Sequence, residues 1–337
     1  MIPRGKAAER GMYHSSEQFA RQAGSDLGQA QAIARASTSG DALGTAMFLA
    51  QQSIEKRFKS IYLQVCESVG INPDGEFFRQ VLGHVVHLRP AEFYRMILRG
   101  IGYPFGDEPV KFVEARLEHL AHVGQIWEPK FYNRPIRSLL FQYFLEAPMP
   151  KDGCRKLDAH LSSIFSIINK LDGADESPRH QFGSRRTPDC MDDIIADRQR
   201  LQECRDGFAG MEPRACLRLL LEEVFGRRLD VINGIVDEHR LLPRATSKSH
   251  AMLTILDYGT VAASYLSPGY VYLFPHAMIG RYPTRLPTGE LSTDIYASQR
   301  NAILARLFVN VQYDYDELCA VGERIGELCS ICQKGAL

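Results

Sequence analysis

Two rows of apolar residues, separated by only five turn-forming positions, set the tightest limit on how this chain can fold. In 16–36, SEQFARQAGSDLGQAQAIARA, the residues Phe19, Ala23, Leu27, Ala30 and Ala34 recur at steps of three or four. That spacing puts them on one face of a helix. The same rhythm returns at Met47, Ala50, Ile54, Phe58, Ile61 and Val65. Between the rows, STSGD at 37–41 supplies Ser, Thr, Gly and a capping Asp41, which reads as a tight turn. Helices joined by so short a link lie antiparallel and pack on each other.

The rest of the chain repeats the helical signal. VGINPDGE at 69–76 breaks the second helix. A third helix is predicted near Phe77–Leu88, and a fourth after Pro90, followed by loop at 101–109. Further helices are expected near 110–122, 134–146, 190–207, 213–225, 250–266 and 290–313. Residues 173–189, GADESPRHQFGSRRTPD, are polar, carry two prolines and read as a mobile loop. Strand-like alternation is sparse, and no internal repeat of fixed period is present.

Composition narrows the functional classes. The 337 residues are 45% hydrophobic and carry 40 basic and 40 acidic side chains, so global charge draws the chain to no particular partner. No apolar run approaches the roughly 20 residues that cross a bilayer. The opening MIPRGKAAERGMYHSSEQ lacks the apolar centre of a signal peptide, and a cytoplasmic protein is expected. The eight cysteines are scattered and expected to be free thiols. CSIC at 329–332 has no second half to complete a zinc site, so neither metal nor cofactor is expected.

In the second helix, Gln51, Glu55 and Lys59 are spaced by four and form a polar stripe, which reads as a solvated face with a favourable Glu55–Lys59 pair. The phrase around them carries more. SDLGQAQAIARASTSGDALGTAMFLAQQSIEKRFKSIYLQVCESVG resembles the HEPN family (higher-eukaryote and prokaryote nucleotide-binding domains). Asp26, Leu27 and Ala30 match the family's first helix. Ala46, Phe48, Ala50, Gln51, Gln52, Glu55, Lys56 and Lys59 match its second, and Gly70 follows. LGHVVHL at 82–88 is similar to the opening of its third helix. IGRYPTRLPTGELSTDIYASQRNAILARLFVNV at 279–311 is similar to its RYP turn (Arg281, Tyr282, Pro283) and last helix (Ala302, Ile303, Ala305, Val309). The resemblance covers about half the chain. The matching pieces are separated by roughly 160 residues, where family bundles are compact.

The resemblance implies an all-α fold: a HEPN-like up-and-down helical bundle with a long helical insertion. Residues 1–100 and 248–337 would form the bundle, and 101–247 the insertion. Within the insertion, 139–173 has the apolar rhythm of a helix-turn-helix core, and a plain helical pair fits it too.

Many HEPN proteins are metal-independent ribonucleases with an Arg-x4-6-His motif. A histidine near neutral pKa can take a proton from a 2′-hydroxyl and return one to the leaving oxygen. An arginine can hold the phosphate oxygens where charge develops. Four spacings fit: Arg79–His84, Arg116–His122, Arg155–His160 and Arg244–His250. With 10 histidines and 40 basic residues such pairs recur by chance, so location decides. Arg79 and His84 lie in the matching region and rank first, although that histidine also coincides with a GH that non-cleaving members carry. Arg155 and His160 come second. Arg116 and His122, with His119, read as a polar helix face. Arg244 and Lys248, in the loop PRATSKSH, together with Arg281 are candidate nucleic-acid contacts.

Two functions stay open. One is an RNA-targeting effector of a toxin–antitoxin or defence system, a ribonuclease acting as a homodimer. The other is a non-catalytic module that binds a nucleotide, nucleic acid or a partner protein. A nucleotidyltransferase-type or antitoxin chain is the expected partner, because this chain lacks that enzyme's Gly-Ser and paired Asp signature.

Overall fold

The computed structural model describes residues 15–73, 89–103 and 273–335, with scattered positions between 113 and 159 and between 252 and 260. These residues are 80% helical and contain no strand, so the chain is all-α. No described helix is long and apolar enough to cross a membrane. The expected helices at 77–88, 190–207 and 213–225 lie outside the described residues, as do the loop at 173–189 and most of the insertion.

Helix α1 spans Ser16–Ala36, as its apolar row predicts. Ser15 caps it: its hydroxyl accepts from the Gln18 amide, and the Gln18 side chain accepts from the Ser15 amide. Helix α2 spans Gly40–Ser68. Its cap is Ser39, whose hydroxyl accepts from the Ala42 amide at 3.3 Å, and not the expected Asp41, which sits inside the first turn. Three cross-links fix the antiparallel register. Glu67 accepts from the Ser16 amide and hydroxyl, Ser53 donates to the Ala23 carbonyl, and Lys56 meets Asp26. Ser16, at the start of α1, meets a residue 51 positions on, whereas Ala23 and Asp26, nearer the turn, each meet one only 30 positions on, as two antiparallel helices should.

Helix α2 ends on Gly70, which has φ +75°, a conformation that costs glycine least. The Gly70 amide donates to Glu67 O and the Ile71 amide to Cys66 O, a Schellman closure. Helix α3, Pro90–Gly100, closes the same way through Gly102 and Tyr103. Its Phe93 stacks on Tyr62 of α2 with ring centres 4.2 Å apart.

The C-terminal part follows as α4 (His276–Ile279), α5 (Ser292–Ser298), α6 (Arg300–Ala305), a π-helical turn (Arg306–Val311) and α7 (Gln312–Gly335). The single helix expected near 290–313 is therefore interrupted at Gln299, where ψ rises to 22°, and loosened at 306–311 before running on to 335. Ile303 points inward, whereas Ala305 and Val309, matched as part of a closing helix, are exposed. The 313–317 acidic stretch lies within α7, with Asp314 buried and Asp316 exposed.

All of these elements converge on α2, which packs against α1, α4, α5, the π turn and α7. One apolar core unites Leu27 of α1, Ile54 and Phe58 of α2, Phe93 of α3, Tyr296 of α5, and Leu318 and Ile325 of α7. The three described cysteines, Cys66, Cys319 and Cys329, are free thiols.

Candidate functional site

The polar residues of QQSIEK do not face water. Gln51 is fully buried and the Glu55 side chain is 2% exposed, because α2 is covered on the side where a solvated stripe was expected. A carboxylate so placed must be paired and hydrogen-bonded. Glu55 Oε2 accepts from Gln51 Nε2 at 2.9 Å, and Oε1 meets Lys59 Nζ at 2.7 Å. Gln52 Nε2 donates to Gln51 Oε1 at 2.6 Å. Beside this chain of bonds, Lys56 Nζ lies 2.5 Å from Asp26 Oδ2. Both oxygens of Glu55 are engaged, so it is poorly suited to take a proton from a substrate. The arrangement orders the hairpin.

A second feature lies where the N-terminal end of α2 meets the segment 276–293. A β-carbon on Gly44 would stand 2.7 Å from Gly280 O, and one on Gly280 the same distance from Gly44 O. Gly40 approaches the Thr293 backbone closer still. Glycine is needed at these positions because backbone lies against backbone. Below the contact, His276 Nδ1 is 2.7 Å from the Tyr296 hydroxyl, and Phe141 meets Tyr296 edge-on. Burial lowers the His276 pKa to about 3 and pushes the Tyr296 hydroxyl well above its usual range. The imidazole is held neutral and has no access to a substrate.

The chain then emerges at Arg281, Tyr282 and Pro283, all exposed. The Arg281 guanidinium lies 5.6 Å from the Phe48 ring centre and 5.3 Å from that of Tyr282. The loop beyond is tied down. Ser292 and Thr284 exchange bonds through the Ser292 amide and hydroxyl, Leu286 donates to Glu290 O, and Arg285 pairs with Leu291 in an isolated antiparallel bridge. Nearby, Arg300 donates to the carbonyls of Arg35 and Ser37 at the C-terminal end of α1.

Of the residues singled out from sequence, Arg79, His84, His160, Arg244 and Lys248 lie outside the described residues, as do Arg116, His119, His122 and His250. Arg155 is described: its side chain is 83% exposed, with Asp152 at 4.0 Å. Arg281 is described and sits beside Tyr282. Sequence reasoning gave no role to Tyr282, nor to the Asp26–Lys56 and His276–Tyr296 pairs. One signal was present: Asp26 interrupts the apolar row of α1 next to Leu27. Among the described residues no three metal-ligating side chains come together.

The chain matches no protein-family model, no curated protein and no solved structure. Function therefore rests on its own residues.

Proposed function

We propose that this chain is a HEPN-like helical module that acts on RNA as a symmetric homodimer, cleaving it without a metal. One observation supports the reading. The two stretches that carry the resemblance, at 41–59 and 279–311, are more than 200 residues apart in sequence yet meet in space, Gly44 against Gly280 and Phe48 beside Arg281. In this reading Arg79 and His84 supply the chemistry, with Arg155 and His160 as the second pair. The histidine exchanges protons with the 2′-hydroxyl and the leaving oxygen, and the arginine neutralises the phosphate. A nucleotidyltransferase-type or antitoxin chain would restrain the activity.

The test is incubation of the purified protein with several RNAs in EDTA, with and without co-expressed neighbouring proteins. Cleavage with 2′,3′-cyclic phosphate ends is expected, falling about 10²–10⁴-fold in His84→Ala. Light scattering should give twice the mass of one chain, and His84→Ala should keep it. Wild-type cleavage rates in His84→Ala would move the assignment to Arg155 and His160.

The non-catalytic reading is favoured by a different observation. The one imidazole among the described residues, His276, is buried and neutral, whereas Arg281 and Tyr282 stand exposed. RNA binding without cleavage by any preparation would select it.

A further inference from the structure

The exposed pair Arg281–Tyr282 has features that a helix-bundle surface does not need for its own stability. Tyr282 is 51% exposed and Met278, one turn earlier, is 50% exposed. The Tyr282 amide donates to Met278 O, so the two are fixed relative to each other. Arg281 forms no ion pair among the described residues, in a chain whose charges balance overall. Its guanidinium is instead held beside two rings, Phe48 and Tyr282.

The backbone beneath is unusually constrained for a surface turn. Gly280 is locked against Gly44. The Ser292 hydroxyl ties the turn at both ends, donating to Ile279 O at 3.3 Å and accepting from the Thr284 amide at 3.1 Å. Thr284 Oγ1 donates to Tyr282 O at 3.0 Å. Arg285 Nη1 donates to Gly289 O at 2.7 Å, closing the loop over a glycine at φ +91°. An aromatic side chain on a fixed backbone loses little freedom on binding.

We propose that Tyr282 and Arg281 form a stacking platform for single-stranded RNA, with a base on the Tyr282 ring and a backbone phosphate on Arg281. The proposal rests on the RNA-directed function argued above and names where the strand is held. The chemistry favours a nucleic acid. An exposed aromatic face accepts any base, and an arginine that meets no carboxylate among the described residues can hold a phosphate. Stacking on this ring is sequence-tolerant, so the platform would grip a strand without choosing its sequence.

The experiment is fluorescence anisotropy with an end-labelled oligouridylate and the full-length chain, titrated from about 50 to 200 mM KCl. Tyr282→Ala is expected to weaken binding about tenfold or more while leaving the slope of log K against log salt unchanged. Tyr282→Phe should bind like wild type. Arg281→Ala should lower the slope by about 0.7, the loss of one phosphate contact on a single strand. Both side chains lie at the surface, and unchanged thermal unfolding of the three variants would confirm intact folding. If wild type binds RNA and Tyr282→Ala and Arg281→Ala bind it equally well with the same slope, the platform is overturned while the RNA-directed function stands. A surface for a protein partner would then take its place. If wild type binds no RNA at all, both fall.

Discussion

Lys56 and Asp26 join α2 to α1 by an ion pair spanning 30 residues of sequence, with side chains only 18% and 11% exposed. Removing one partner leaves a mostly desolvated charge alone. Asp26→Ala should cost about 2–4 kcal/mol, near the lower part of the range for buried pairs because some solvent remains. The double variant Asp26→Leu, Lys56→Met should recover most of that loss. Urea unfolding of the four proteins of this cycle provides the measurement, and a double variant as unstable as the single one would show that the pair matters for more than its charge.

Glu55 gives a sharper case. Glu55→Gln preserves shape but leaves Lys59 without its carboxylate, so about 1–3 kcal/mol should be lost. Glu55→Ala should cost more, since Gln51 also loses an acceptor. The solvated face expected from sequence would instead give changes within about 0.5 kcal/mol, and denaturant midpoints separate the two.

His276 makes stability depend on pH. Its folded pKa, about 3, lies below the ordinary 6.5, so folding opposes protonation. The contribution is complete above about pH 6.5 and is lost as pH falls from there toward 3, with a slope approaching 1.4 kcal/mol per pH unit. His276→Gln keeps a polar group near Tyr296 but cannot titrate. Between pH 7 and 5.5 the wild type should therefore lose about 1 kcal/mol more than His276→Gln, read as the difference in their urea midpoints.

Two glycines should respond in opposite directions. Gly28 is exposed in the middle of α1 with open space around it, so Gly28→Ala should stabilise by about 0.5–1 kcal/mol. Gly44→Ala would drive a methyl into Gly280 O and the Tyr296 ring and should destabilise by about 1–3 kcal/mol. Thermal unfolding of both against wild type checks the contrast.

The hairpin was legible in sequence because its information is local. The apolar row of α1, the turn at STSGD and the break at VGINPDGE are each complete within a few residues. The polar stripe was misread for the converse reason. Whether Gln51 and Glu55 face water depends on elements far along the chain, and the spacing of four is the same on a buried and an exposed face. The cap at Ser39 in place of Asp41 has a similar origin, since Gly40 must meet the Thr293 backbone and so belongs to the helix. At the candidate site, the RYP turn marked where Arg281 would be, but not that the loop behind it is pinned by Ser292, thirteen residues from Ile279.

The π turn at 306–311 behaves as a phase shifter. Into and through it the inward residues Ile303, Leu307 and Val311 come every fourth position, a stride too long for a 3.6-residue helix to hold on one side. Past it, Leu318, Val321, Ile325 and Leu328 keep the alternating stride of four and three that an ordinary helix sustains. The looser turn lets both rhythms face the same neighbour. Deleting one residue within 306–311 would therefore do more than shorten the helix: it would swing everything after it by about 100° and carry Leu318 and Ile325 off the core together.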